Sequence, residues 1–228
     1  MKIIQLCGLY GSGKSTLRSV MSRYGIDGIL WEYRLPRLRN LHRFCFSVIW
    51  IMPALIAAGI DRDWFKRFKL ILYLNVLAQD LSLYKHARRG VLLWDEGPIA
   101  HHVFLRVRVG KCRNQFIIDR ILDKNARKLA GVLDGMIWLD APDHTLIRRV
   151  KSRPQPHILK NTSWDDAGRF YVDNRRIYEQ IISAWENHGV RMVRIPTHQC
   201  NPDEVIRKVR EFITASMGGE SDLEYGRC

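Results

Sequence analysis

An α/β fold, a parallel sheet covered by helices on both faces, is what this 228-residue sequence predicts, and three observations carry the prediction. A glycine-rich loop, "GLYGSGKST", follows directly on the apolar run Ile3-Ile4-Gln5-Leu6-Cys7 and leads into a segment able to continue as a helix. Short apolar runs alternate with longer helical patterns along the whole chain, the signature of βα units and hence of parallel strands. A third run, "VLLWDEG", delivers two acids where a strand emerges from the sheet, the edge at which such sheets bind ligands.

The first strand spans residues 2–7, and the loop after it fits G-x-x-x-x-G-K-[ST] at every fixed position. Gly8, Gly11 and Gly13 let successive backbone N–H groups converge on an anion, Lys14 adds an ammonium, and Ser15 offers a hydroxyl to a metal ion. Ser12 and Thr16 complete the cradle, and the following helix points its N-terminal dipole at the phosphates. The loop therefore reads as a site for a nucleotide triphosphate.

A second strand is expected over residues 28–33, followed by "WEYRLPR" with Glu32, Arg34 and Arg37. Residues 44–60, "FCFSVIWIMPALIAAGI", carry no charge for 17 positions. Pro53 should break or kink a helix there, and the run is at the lower limit for spanning a bilayer. It reads either as a pair of buried helices or as an apolar surface for a membrane or lipid-linked substrate. Arg34, Arg37, Arg39, Arg43, Lys66, Arg67 and Lys69 would assist the second role.

Lys85, His86, Arg88 and Arg89 before Gly90 mark a helix end. The third strand, 91–94, leads to Asp95 and Glu96, of which Asp95 suits a magnesium shell shared with Ser15. Asp95 also suits the acceptance of a proton from an acceptor hydroxyl. After a fourth strand over 136–139, Asp143 is placed to cap a helix that carries Arg149 and Arg153 on one face. Arginines are expected near phosphoryl transfer because negative charge spreads over the transferred group. Pro154-Gln155-Pro156-His157 reads as a mobile loop. Ser163 starts a helix running to Gly189, on which Arg169, Arg175 and Arg176 read either as further anion ligands or as a solvated basic face. A fifth strand covers 191–195, and Asn201-Pro202-Asp203-Glu204 opens the last helix.

The formal net charge of +14 calls for a polyanion, a membrane surface or anionic substrates. Scattered arginines without a dense aromatic-interleaved run argue against a direct nucleic-acid role. Five dispersed cysteines without a C-x-x-C pair read as reduced thiols in a cytoplasm, and the apolar start is too short for a signal-peptide core.

The order of phosphate loop, helical insert, Asp at the end of strand three, "IWLDAP" on strand four and an arginine helix resembles the nucleoside and nucleotide kinases. The thymidylate kinase-like branch is the nearest in pattern, over residues 2 to about 215. The resemblance implies a five-stranded parallel sheet of order 2-3-1-4-5, a helical insert at 36–89 and a lid at 152–165. All would lie in one domain over 1–217, with a flexible tail at 218–228. Arg149 and Arg153 resemble the R-x-x-x-R whose arginines contact ATP in adenylate kinase-like enzymes, and Pro196-Thr197-His198 corresponds to the part beside the adenine. The chain departs from the branch in having Asp95-Glu96 where thymidylate kinases have Asp-Arg, and in lacking Arg-Glu-Pro-Gly after strand two. By likeness to deoxynucleoside kinases, Glu32 competes with Asp95 as base.

These readings converge on a Mg2+-dependent transfer of the γ-phosphate of ATP to a nucleoside, nucleotide, sugar or lipid-linked acceptor. Lys14, Asp95, Arg149 and Arg153 would be catalytic, and Glu32, Arg34, Arg37 and Glu96 would meet the acceptor. A membrane-associated regulatory NTPase or nucleotide-dependent binding protein is the alternative, and a polynucleotide kinase ranks third. The expected setting is cytoplasmic, with peripheral membrane contact left open.

Overall fold

The computed structural model describes residues 1–23, 29–30, 41–61, 63–87, 90–95, 97–108 and 113–216. Strands β1 (Lys2–Cys7), β3 (Val91–Asp95), β4 (Gly135–Asp140) and β5 (Met192–Pro196) form the body of a parallel sheet in the order β3-β1-β4-β5. Beside β3 runs β2, the second strand expected over 28–33, described at Ile29–Leu30. Helices α1 (Lys14–Arg23), α2 (Leu41–Ala58), α3 (Trp64–Ala87), α4 (Pro98–Arg108), α5 (Gln115–Ala130), α6 (Asp143–Lys151), α7 (Trp164–Asn187) and α8 (Pro202–Ser216) connect and cover the strands.

The strands read as continuous apolar runs because both faces of the sheet are covered. Alternation along β1 still sorts its side chains. Ile4 and Leu6 join Leu93, Ile137, Leu139 and Ile195 under α1 and α8. Ile3 and Cys7 join Leu92, Trp94, Met136 and Trp138 under the remaining helices, whose largest buried side chains include Trp185 and Tyr171 of α7. Gln5, wholly buried, faces this second layer as its polar exception.

Local chemistry sets the helix ends. Ser163 Oγ accepts the Asp166 N–H at 3.0 Å and starts α7, and Asn201 Oδ1 accepts the Glu204 N–H at 2.8 Å ahead of Pro202 in α8. Each such cap contributes about 1 kcal/mol. Asp143 does not cap α6: Pro142 holds that position without a side-chain bond, and the Asp143 carboxylate turns instead to Arg175.

The uncharged segment also departs from expectation. Residues 41–58 form one helix that continues through Pro53, whose missing N–H forfeits only the bond to the Ile49 carbonyl. Its buried face (Ser47, Ile51, Leu55, Ala58) packs on the core, while Phe46, Ile49, Trp50 and Ile56 stay largely exposed. No described helix is long and apolar enough to cross a membrane.

Candidate active site

The glycine loop leaves the C-terminal end of β1, the central strand, and closes at Lys14, the first residue of α1. A Cβ on Gly8 would lie 2.4 Å from the Leu139 carbonyl oxygen and 2.6 Å from Ser12 Oγ, so the close approach of loop to β4 requires glycine. At Gly13 the surroundings are open and the requirement is the backbone itself, at φ +100°. Ser12 is buried, and its hydroxyl has no hydrogen-bond partner among the described residues. Lys14 Nζ donates to the Gly8 carbonyl at 2.7 Å and to the Leu9 carbonyl at 3.4 Å, which keeps the ammonium over the loop. Ser15 and Thr16 are exposed in the first turn of α1. Beneath the loop, Cys7 is sealed in the core, and burial pushes its thiol up to about 12, with Lys14 pulling weakly the other way. It is therefore a thiol at ordinary pH.

The loop is a shared wall between two cavities. The first, about 350 Å³, is bounded by Gln5, Gly8, Tyr10 and Lys14 on one side. Opposite them stand Leu70 of α3, His101 and Phe104 of α4, and Phe170, Asn174 and Tyr178 of α7. Both amide atoms of Gln5 are buried without a hydrogen-bond partner among the described residues. The Tyr10 ring meets His157 at 4.7 Å, and its carbonyl accepts from the Tyr171 hydroxyl at 2.9 Å, so loop, α7 and the 152–163 turn segment are tied together here.

The second cavity, about 400 Å³, lies on the far side of the loop, with Gly11, Ser12, Gly13 and Thr16 facing Arg149, Arg153 and Thr197. Leu17, Val20, Val205 and Ile206 give it an apolar flank. Arg149 is fixed by donating to the Gly11 carbonyl at 3.3 Å, to Thr197 Oγ1 at 3.0 Å and to the Thr197 carbonyl at 3.0 Å. Thr197 Oγ1 in turn donates to the Asp140 carbonyl at 3.0 Å. Desolvation, then the neighbouring Arg148 and Arg153 charges, lower the Arg149 pKa, which still leaves it cationic. Arg153 is not on the helix face with Arg149: α6 ends at Lys151, and Arg153 follows in the turn beyond it. Both nevertheless line the same cavity.

Asp95 is the last residue of β3 and pairs in register with Leu6, two residues before Gly8, so it stands beside the base of the loop. Glu32, Arg34, Arg37 and Glu96 lie outside the described residues, as does Arg39.

Sequence reasoning left Arg175 open and missed its partners. Its guanidinium donates to Asp140 Oδ1 at 2.8 Å, to Asp143 Oδ1 at 2.6 and 2.9 Å, and to the Ala141 carbonyl at 2.7 Å. Arg194 Nε donates to Asp140 Oδ2 at 2.9 Å. Burial raises the Asp140 carboxyl, but the hydrogen bonds and positive charges of Arg175 and Arg194 together outweigh it and hold the group below the ordinary carboxylate range. Arg175 is thus a clamp between α7 and the end of β4, whereas Arg169 pairs with Asp166 on the surface.

A parallel sheet with a glycine-rich loop between its central strand and the following helix is the architecture on which phosphate-binding loops are built. No family model and no curated protein matches the sequence. Solved structures do match the fold. Deoxyadenosine kinase from M. mycoides with bound dATP is 15% identical, covers 93% of this chain and 99% of its own, and has a TM-score of 0.52. Thymidylate kinase from Candida albicans is 15% identical, covers 96% of this chain and 93% of its own, and has a TM-score of 0.56. The same M. mycoides enzyme with dCMP and dCDP gives 14% identity, coverage of 93% and 98%, and a TM-score of 0.54. The fold is that of the P-loop nucleoside and nucleotide kinases.

Proposed function

We propose that this chain is an ATP- and Mg2+-dependent kinase that moves the γ-phosphate to a small-molecule acceptor. The observation that carries the reading is the position of the phosphate loop as the common wall of two cavities, one arginine-lined and one aromatic-lined. The kinase folds it resembles act on nucleosides and nucleotides by name, which puts those acceptors ahead of a sugar or lipid-linked hydroxyl.

In this reading the second cavity takes the donor. Its apolar flank suits a purine beside Thr197, with the triphosphate running along the loop amides to Lys14. Lys14 exchanges the Gly8 and Leu9 carbonyls for phosphate oxygens, and Arg149 and Arg153 oppose the charge that spreads over the transferred group. The acceptor enters the first cavity, between Leu70 of α3 and the α4 side chains on one side and Phe170, Asn174 and Tyr178 of α7 on the other. Its hydroxyl oxygen forms the new bond to the γ-phosphorus as the bond to the bridging oxygen breaks. The hydroxyl proton passes to Asp95, with Glu32 the competing base by likeness to deoxynucleoside kinases, and Arg34, Arg37 and Glu96 are the further acceptor candidates the sequence offers. The Ser15 hydroxyl and Asp95 carboxylate are hard oxygen donors of the kind Mg2+ takes in P-loop sites. When bound there, the ion would offset negative charge on the phosphates. No cluster of three or more His, Cys, Asp or Glu is present among the described residues, and a Mg2+ that keeps waters and takes phosphate oxygens needs none.

Incubation with Mg2+ and γ-labelled ATP against pooled nucleosides, nucleotides, sugars, lipid extract and oligonucleotides tests the proposal. Label should appear in a small organic acceptor and be lost in Lys14→Ala. Label that reaches only free phosphate, still dependent on Lys14, would replace the kinase by a hydrolytic NTPase.

A further inference from the structure

Among the described residues, α2 lines neither cavity beside the loop, and its outward face is chemically unusual. Phe46, Ile49, Trp50 and Ile56 are 60%, 69%, 68% and 53% exposed. At about 100° per residue the four fall within an arc of roughly 120°, so they form one stripe, and no charged residue interrupts it between 45 and 57. The opposite face is apolar too, because it packs on the core. A helix that is apolar all round belongs in a core or against lipid. Phe46, Ile49 and Trp50 alone expose on the order of 400 Å², the size of the largest, often functional, apolar patch on a monomer, and Ile60 just beyond α2 and Phe65 in α3 are exposed as well.

The surroundings of the stripe identify what covers it. Trp50 and Phe46 share a groove with Lys124 and Lys128 of α5, and a neighbouring shallow groove has Arg120, Lys124, Arg127 and Lys128 as its charged lining among the described residues. Arg120 lies over the exposed Phe116 ring at 5.5 Å, and Lys69 over Phe65 at 5.5 Å. Arg127 is paired with Asp123 and Lys66 with Asp63. On α5, these four cations against Asp119 and Asp123 leave the helix net positive. Arg67, expected to assist, does not: it is buried and bonded to Asp61.

We infer that the α2–α5 face docks on an anionic lipid surface, with Trp50, Phe46 and Ile49 at the acyl boundary and the α5 cations among the headgroups. Aromatic side chains flanked by lysine and arginine are the composition of interfacial helices. A second copy of the chain fits less well, because it would bring two positive α5 fringes of a +14 protein together. This inference is independent of the phosphotransfer reading.

Flotation of the full chain with vesicles tests it. Vesicles of phosphatidylcholine with roughly one-third phosphatidylserine should carry the protein, and phosphatidylcholine alone should not. Trp50→Asp should lower binding at least tenfold. Lys124→Glu combined with Lys128→Glu should lower it as strongly, as should about 0.5 M salt. Trp50→Phe, which preserves apolarity, should still float, but should lose part of the fluorescence quenching that brominated lipids impose on the wild type. Several results overturn the inference: no flotation with anionic vesicles, flotation indifferent to Trp50→Asp, or quenching unchanged in Trp50→Phe. A dimer in sedimentation that Trp50→Asp dissociates, without vesicle binding, would assign the face to a second copy.

Discussion

Replacing Arg175 by Met removes the clamp between α7 and the β4–α6 junction while keeping most of the side-chain volume. The guanidinium makes four hydrogen bonds, to Asp140, Asp143 and the Ala141 carbonyl, and its side chain is 18% exposed against 12% and 26% for the two carboxylates. Removing one partner from a buried charge pair costs about 3–5 kcal/mol; the residual exposure here and the surviving Arg194–Asp140 bond put the loss near the lower end, about 3 kcal/mol. For a chain of this length that lowers Tm by roughly 6–12 °C. The pH dependence follows from the carboxylate. Asp140 is depressed in the folded state, so its pairing contributes fully above the unfolded carboxylate pKa of about 3.9 and is lost as pH falls through the lower folded value. Thermal or urea unfolding of wild type and Arg175→Met should therefore show the full gap at pH 7 and at pH 5, and a shrinking gap near pH 3. A Tm within about 2 °C of wild type at pH 7, or a gap as wide at pH 3, would refute the clamp.

Three further substitutions probe the floor and rim of the loop and, as a contrast, an open position on α7. Gln5→Leu removes a wholly buried amide whose atoms have no hydrogen-bond partner among the described residues, and should raise stability by about 1–3 kcal/mol in urea titration. A loss of stability would mean that the amide is paired in solution. Gly8→Ala puts a methyl 2.4 Å from the Leu139 carbonyl oxygen and should weaken ATP binding by roughly tenfold or more. Gly168→Ala, within α7 and with nothing within 4 Å of the new methyl, should instead stabilise by about 1 kcal/mol and leave ATP titrations unchanged.

How far the sequence revealed this arrangement differs from feature to feature. The strands were legible because a sheet buried on both faces writes itself as unbroken apolar runs, and the loop was legible because its chemistry demands glycine, lysine and serine at fixed spacing. Arg175 was not, because its clamp joins residues 32 and 35 positions apart that only the packing of α7 brings together. Asp143 looked like a cap for the same reason: position suggested a local bond, and a distant guanidinium captured the carboxylate. The orientation of α2 was hidden because a helix apolar on every side has no phase from which to read an inner face. The walls of the first cavity, Phe170, Asn174 and Tyr178, lie on one ordinary-looking amphipathic helix and become a site only opposite Tyr10 and Phe104.

The central claim, that the loop separates a donor cavity from an acceptor cavity, is tested most directly by a crystal structure with Mg2+ and a non-hydrolysable ATP analogue. The account predicts the purine between Thr197 and the apolar flank of α1 and α8, Arg149 and Arg153 on the phosphates, and the γ-phosphate at Lys14 facing the Tyr10–Phe170 cavity. A purine seated among Tyr10, Phe104 and Phe170, with its triphosphate pointing toward Arg149, would contradict it.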